Sequence, residues 1–317
     1  MIAITGGAGY IGSALSRELY LRGVAHVVLD DLSDGRTSRL NSSVPFHLID
    51  INNTSDLQDL FRLHSVKTVI HCAGVKSVAE SESNPEKYFH INSEGTKSLL
   101  NAMVATSCTQ IIFASTAAVY DTKFQAPETG ITEDSPTAQN NVYGASKLLA
   151  EKYIREYSAQ HNFKAIIFRY FNVIGSPSLE IKDENDSSIL PKIFYASSTN
   201  QIFEIYGDDY QTKDGTCIRD YLHINDLNSA HISAIELLEK IETPFTEAIN
   251  LGSGKGVSVR EIVSTFELAT GKKIDSVVAA RRVGDIPISL ANLEKANLLL
   301  QWKPVLTIRE AIESIDR

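Results

Sequence analysis

A phenol and an ammonium stand four residues apart at Tyr143 and Lys147, near the start of the helix-forming run 142–151. On a helix, residues i and i+4 lie on one face, so Lys147 can hold its charge near the Tyr143 hydroxyl. A nearby positive charge favours the phenolate, and a tyrosine of lowered pKa serves as a general base near neutral pH. A partly buried tyrosine beside a surface lysine gives the same spacing, so the surrounding elements must decide.

Those elements begin with the apolar run 2–5, which breaks into Gly6-Gly7-Ala8-Gly9-Tyr10-Ile11-Gly12 and then a helical pattern through Arg22. Glycines at 6, 9 and 12 let a backbone approach a pyrophosphate at a helix N-terminus. A second β-type run, 26–29, ends in Asp30-Asp31. An acid there accepts both ribose hydroxyls of an adenosine and repels a 2'-phosphate, which favours NAD over NADP, with Arg36 and Arg39 as the opposing signal. The alternation continues with strands at 46–51, 68–72, 110–115 and 165–170, and helices at 56–64, 84–103 and 143–161, the second opened by Asn84-Pro85. The pattern predicts an α/β fold with a doubly wound parallel sheet, whose ligand crevice lies beyond the carboxyl ends of the strands. Segments 73–76 and 116–120 are expected to line it.

Past Asn172 the chain turns polar over 176–188, read as a domain boundary or loop. The expected division is a Rossmann domain over 1–172 and a smaller α/β domain over 173–317, with part of 220–252 packing back on the Rossmann sheet. Helices are expected at 226–240, 259–270 and 308–315, and strands at 248–251 and 274–280.

A formal net charge of -9, with no basic stripe, argues against a nucleic-acid or anionic-membrane partner. Cys72, Cys108 and Cys217 are scattered, so neither a disulfide framework nor a zinc site is expected. The eight histidines show no ligand spacing, so no metal is expected. No leader and no apolar span of membrane length is read, and a reducing cytoplasm fits best.

Thr116, just after a strand, joins Tyr143 and Lys147 in an arrangement that resembles the extended branch of the short-chain dehydrogenase/reductases. The resemblance is strongest to the UDP-galactose (UDP-glucose) 4-epimerase family, and it covers nearly the whole chain. It is carried by the segments 5–12 (TGGAGYIG), 69–81 (VIHCAGVKSVAES), 169–172 (RYFN), 206–210 with 214–221 (YGDDY, DGTCIRDY) and 280–285 (ARRVGD). The resemblance implies NAD as cofactor and a UDP-sugar as substrate. Tyr143 would take the proton of the sugar 4-hydroxyl while hydride leaves C4, and Lys147 would bind ribose hydroxyls and depress the Tyr143 pKa. Thr116 would hydrogen-bond the 4-oxygen. For the cofactor it implies Gly6, Gly9, Tyr10, Ile11, Gly12, Asp30, Asp31, Asp50, Ile51, Cys72, Ala73, Gly74, Lys76 and Asn92, with Tyr143 and Lys147. For the substrate it implies Lys76, Thr116, Tyr143, Asn172, Ser188, Tyr206, Arg219, Arg282, Asp285 and Ser289. Arg suits the diphosphate because its planar fork donates two bonds at once; Arg281 is read as a surface residue. Members often form homodimers through the Tyr-Lys helix and the helix before it, and Leu99, Leu100, Met103, Leu148 and Leu149 fit either that interface or intrachain packing.

Departures from the family pattern are informative. Dehydratase and decarboxylase relatives carry an acid after the Ser/Thr, whereas Ala117-Ala118 stand here, which leaves simple C4 oxidation and return. Cys72 replaces a common Phe, and Ser188 a common Asn. Ser289 falls where the family often places a bulky Tyr that closes the sugar pocket, so activity on UDP-GlcNAc and UDP-GalNAc is expected beside UDP-Glc and UDP-Gal. The alternatives are a UDP-hexuronic acid 4-epimerase and a catalytically inactive NAD-binding sensor.

Overall fold

In the computed structural model, residues 1–125, 127–282 and 284–316 are described; Val283, inside the 280–285 motif, lies outside them. In chain order the elements are β1 (Ile2–Thr5), α1 (Tyr10–Leu21), β2 (His26–Asp30), β3 (Phe46–Leu48), α2 (Thr54–Leu63), β4 (Thr68–His71), α3 (Val78–Ser83), α4 (Pro85–Tyr88), α5 (Gly95–Ala105), β5 (Gln110–Thr116), α6 (Val142–His161) and β6 (Lys164–Tyr170). They continue with β7 (Asn172–Ile174), α7 (Ile189–Thr199), β8 (Phe203–Tyr206), β9 (Ile218–His223), α8 (Ile224–Lys240), β10 (Phe245–Leu251), β11 (Gly256–Ser258), α9 (Val259–Thr270), β12 (Ser276–Ala279), β13 (Ile288–Ser289), α10 (Glu294–Leu300) and α11 (Ile308–Ile315).

Seven strands form one sheet in the order β10-β6-β5-β4-β1-β2-β3, and β3-β2-β1-β4-β5 pair in parallel. Every residue of β1, β2 and β4 is buried, as a sheet covered on both faces by helices requires. The connection reverses between β1 and β4, so the ends of those two strands, Thr5 and His71, mark the switch point where such sheets bind ligands. The long helix expected over 84–103 begins with Pro85 at its first turn, but a π-helical stretch, Phe89–Glu94, interrupts it. Single π turns of this kind are frequent at functional sites. Asn141 caps α6 by accepting from the Gly144 amide at 2.7 Å, which fixes where the Tyr143 turn starts.

The chain divides into two compact units, Met1–Val119 with Thr137–Arg169 and Asn228–Ile249, and Tyr120–Pro136 with Tyr170–Leu227 and Asn250–Arg317. The division at 172/173 is therefore replaced by a discontinuous one. Segment 120–136 joins the second unit because Ile131 exchanges backbone bonds with Leu290 (2.7 Å) and Asn292 (2.9 Å) and the Tyr120 hydroxyl donates to Asn250 at 2.6 Å. Segment 228–249 returns to the first unit, where Asn228 donates to the Ala14 carbonyl and His231 packs edge-on to Phe168. The first unit's core includes Leu57, Phe61, Leu99, Leu100, Met103 and Phe113. Leu99, Leu100 and Met103 are thus covered within their own chain, while Leu148 and Leu149 are half-buried.

In the second unit β9 is central, with β11 antiparallel and β13 and β7 parallel to it, and β8 pairs β12 in a separate ribbon. Ile193, Phe203, Phe266 and Ile312 anchor its core. Helix α9 is closed by a Ser258/Glu261 capping box and ends at Gly271, at φ 71°.

Candidate active site

The glycine turn links β1 to α1 as the spacing requires. A Cβ at Gly12 would overlap the Gly6 carbonyl and lie 2.6 Å from the Gly7 Cα, so only glycine lets the helix sit this close to the turn. No side chain caps the N-terminus of α1 and its first turn carries no acid, which leaves the positive end of the helix for an anion. The Asp30 carboxylate at the end of β2 accepts from the Ala8 amide at 2.9 Å and the Leu32 amide at 2.8 Å. Burial, opposed by those two bonds, raises its pKa. Asp31 is exposed and holds Ser33 through its backbone and hydroxyl. Lys76 lies over the Tyr10 ring at 5.9 Å. Asp50 closes a turn on Asn52, and buried Ile51 would collide with any side chain at Gly95.

Asn92, within the π turn, clamps the loop after β4. Its Oδ1 accepts from the Val75 amide at 2.9 Å, and its Nδ2 donates to the Val75 carbonyl at 3.0 Å and to Ser146 Oγ at 2.9 Å. Gly74 is held at φ 153°, where a Cβ would stand 2.7 Å from Asn92 Oδ1 and 3.1 Å from Lys147 Nζ. Behind it His71 lies fully buried between Thr5 Oγ1 (2.7 Å) and Thr96 Oγ1 (2.9 Å). Burial, with Lys147 nearby, lowers its pKa to about 3, so it is a neutral structural link.

Helix α6 starts against α3: the Tyr143 amide donates to Ser81 Oγ at 3.2 Å and the Val142 amide to Glu82 at 2.9 Å. The Thr116 side chain lies by the Tyr143 hydroxyl and favours its ionised form. Thr116 Oγ1 also accepts from the Ala118 amide at 3.1 Å, so the strand-end hydroxyl serves its own turn as well. Lys147 is buried, donates to the Ala114 carbonyl at 2.9 Å and lies 4.8 Å from the centre of the Phe113 ring. Desolvation lowers its pKa to about 8. The expectation that Lys147 depresses the Tyr143 pKa is corrected here. Burial raises that pKa and the Thr116 side chain offsets part of the rise, while the Lys147 ammonium donates to the Ala114 carbonyl. Burial likewise pushes the Cys72 thiol up to about 12, so it stays neutral.

In the second unit the expected substrate residues pair with one another. Arg219 donates to Asp285 Oδ1 at 3.1 Å and to the Ile286 carbonyl at 2.7 Å. Its neighbour across the sheet is Ser289, in register on β13. Arg282 stacks 4.0 Å from the centre of the Tyr206 ring, whose hydroxyl donates to Glu204 at 2.6 Å. Asn172 donates to the Asp220 carbonyl at 2.9 Å, and Ser188 stands at the N-cap of α7 without a capping bond. Arg281 is exposed and pairs with Asp209 at 2.6 Å, as its surface reading requires.

The model of the NAD dependent epimerase/dehydratase family matches residues 2–252. The chain belongs to that family. A UDP-glucose 4-epimerase from Halalkalibacterium halodurans is 39% identical over 96% of this chain and 90% of its own length. A UDP-glucose 4-epimerase from Stenotrophomonas maltophila, solved with bound NAD and formylated UDP-arabinopyranose, is 31% identical with TM-score 0.94, covering 99% of this chain and 96% of that one. The UDP-Glc/GlcNAc 4-epimerase from Campylobacter jejuni is 32% identical with TM-score 0.85, covering 99% and 97%.

The residues of this NAD-dependent family member fit the cofactor: an uncapped helix N-terminus beside close-packed glycines for a pyrophosphate, a carboxylate at the end of β2 for a ribose, and a buried ammonium at the switch-point end of the sheet. Among the described residues no cluster of three metal-ligating side chains occurs and no helix is long and apolar enough to cross a membrane. Reading the sequence missed Ser146, which holds Asn92, and Glu151, whose buried carboxylate one turn beyond Lys147 takes a bond from Ser115 Oγ at 2.5 Å. The i+4 spacing from Lys147 was the available signal for Glu151. It also missed α7, whose first turn contains Pro191, and β9, whose Arg219 read as a ligand residue.

Proposed function

We propose that the protein is an NAD-dependent 4-epimerase of UDP-hexoses, interconverting UDP-glucose and UDP-galactose, with the cofactor on the first unit and the UDP-sugar recognised by residues of the second. The observation that carries this reading is the Thr116 hydroxyl acting on the Tyr143 phenol, with a buried, charge-bearing Lys147 one turn further along α6. Bound NAD supplies a reversible hydride acceptor for C4. Thr116 Oγ1 holds the sugar 4-oxygen, and Tyr143 Oη removes the 4-hydroxyl proton and returns it to the same oxygen after the 4-keto sugar has presented its other face. Because burial favours the neutral phenol, Tyr143 acts as base only when the Lys147 charge is brought to bear on it. Ala117 and Ala118 follow Thr116 in a short 3-10 turn with no carboxylate, which restricts the chemistry to C4.

Arg219 and Arg282 bind the diphosphate by exchanging Asp285 and Tyr206 for phosphate oxygens, a change that costs little where both arginines are partly solvated. Ser289 leaves room for a 2-acetamido group, so UDP-GlcNAc and UDP-GalNAc are substrates too; the Campylobacter jejuni relative is named a UDP-Glc/GlcNAc 4-epimerase. We further infer a homodimer in a reducing cytoplasm, where Cys72, Cys108 and Cys217 remain thiols. Incubating the purified protein with each UDP-sugar, without added NAD, tests the reading. Interconversion of the glucose pair, lost in Tyr143→Phe, is expected; turnover of UDP-glucuronic acid alone would replace it with the uronate reading, and bound NAD without turnover would mean an inactive sensor.

A further inference from the structure

Next to the proposed acid-base pair lies a buried ion pair that the epimerisation scheme does not use. Arg169 at the end of β6 donates to both oxygens of Glu151, through Nε at 3.1 Å and Nη2 at 2.7 Å. Both side chains are almost wholly buried, 5% and 2% exposed. Ser115 Oγ supplies a third bond to the carboxylate at 2.5 Å. Removing two charges from water is costly, and well-packed apolar residues often hold a core as well or better. Stability alone therefore does not account for this pair.

Its position does. Glu151 is one turn beyond Lys147 on α6, and Ser115 immediately precedes Thr116 on β5. The groups around the Lys147 ammonium are the Ala114 carbonyl and Phe113 ring from β5, neutral His71 and the neutral Cys72 thiol from β4, and Tyr143 and Glu151 from its own helix, with Arg169 behind Glu151. Among the described residues Lys147 has no ion-pair partner, so Glu151 is the anion that faces it from within the core. Lys147, Glu151 and Arg169 together carry one net positive charge, which a Tyr143 phenolate would neutralise.

We propose that Glu151, held by Arg169, is a positioning residue that keeps the Lys147 ammonium charged and ties the Thr116 strand to the Tyr143 helix through Ser115. The inference rests on the proposed roles of Tyr143 and Lys147. If it holds, Glu151→Gln, which retains shape and most hydrogen bonds, lowers kcat with little change in KM. Without the carboxylate the ammonium loses its proton at lower pH, so the alkaline limb of the kcat profile moves down by about one pH unit, the scale of one removed neighbouring charge. Ser115→Ala lowers kcat without moving that limb.

The double variant Glu151→Gln/Arg169→Met, which avoids leaving the Arg169 guanidinium buried without its carboxylate, is the second arm should the single variant fail to fold, and it is expected to show a kcat loss and a limb shifted in the same direction. A folded single or double variant with the wild-type kcat profile and altered thermal stability only would overturn the inference and make the pair a structural cross-link. Tyr143→Phe and Lys147→Met are assayed in parallel. Full activity in those two would remove the underlying reading; their inactivity beside an unshifted Glu151→Gln profile would remove only the role of Glu151.

Discussion

The two clusters of charged and aromatic residues differ in solvation. In the first unit Lys147, Glu151, Arg169 and His71 are buried with fixed partners, and desolvation lowers the pKa of Lys147 and of His71. In the second unit Arg219 and Asp285 are 18% and 27% exposed at the side chain, and Arg282 rests on the Tyr206 ring at the surface. A buried charge has few alternative partners and a tunable pKa, which suits proton transfer. A half-solvated arginine gives up one partner for another cheaply, which suits ligand exchange. The contrast separates residues that should govern kcat from residues that should govern KM.

The strongest way to break that separation is Tyr143→Phe, which should lower kcat by roughly 10²- to 10⁴-fold, the usual contribution of a positioned acid-base group, with KM and melting temperature nearly unchanged. A mainly KM effect would put Tyr143 with the binding residues. Next, Arg282→Ala should raise KM for the UDP-sugar by about 10- to 100-fold, corresponding to a charge-assisted hydrogen bond of roughly 1.5–3 kcal/mol, while kcat at saturation holds. Steady-state kinetics distinguishes the two.

Ser289→Tyr sharpens the comparison within the second unit. It should abolish turnover of the acetamido sugars while sparing the glucose pair, and retention of both pairs would show that position 289 does not limit the pocket. The smallest effect concerns stability. The folded-state pKa of Lys147 is lowered to about 8 from an ordinary 10.5, so between those values the unfolded chain binds more protons than the folded one. Stability from this group therefore rises with pH across about 8 to 10.5, and the rise should be absent in Lys147→Met when melting temperature is followed over that window in cofactor-free protein.

Much of this was legible beforehand. The run 259–270 was read as a helix and is one, because Ser258, Glu261 and Gly271 are local signals that need no distant partner. The central strands β1, β2 and β4 announced themselves as short apolar runs, since strands buried on both faces carry no polar alternation. The Tyr143/Lys147 spacing and the glycine turn were visible for the same reason: helical periodicity and turn chemistry are written within a few residues.

What the sequence determined by itself was the set of elements and the chemical types near the ends of the parallel strands. Tertiary structure decided which charges are desolvated and whom they face. Lys147 turns to Ala114 rather than to the phenol, Arg219 meets Asp285 across 66 positions of chain, and Glu151 finds Arg169 and Ser115 on two different strands. Those pairings depend on strand order and burial, and a pKa follows the dielectric and the charges around a group in space rather than its neighbours along the chain.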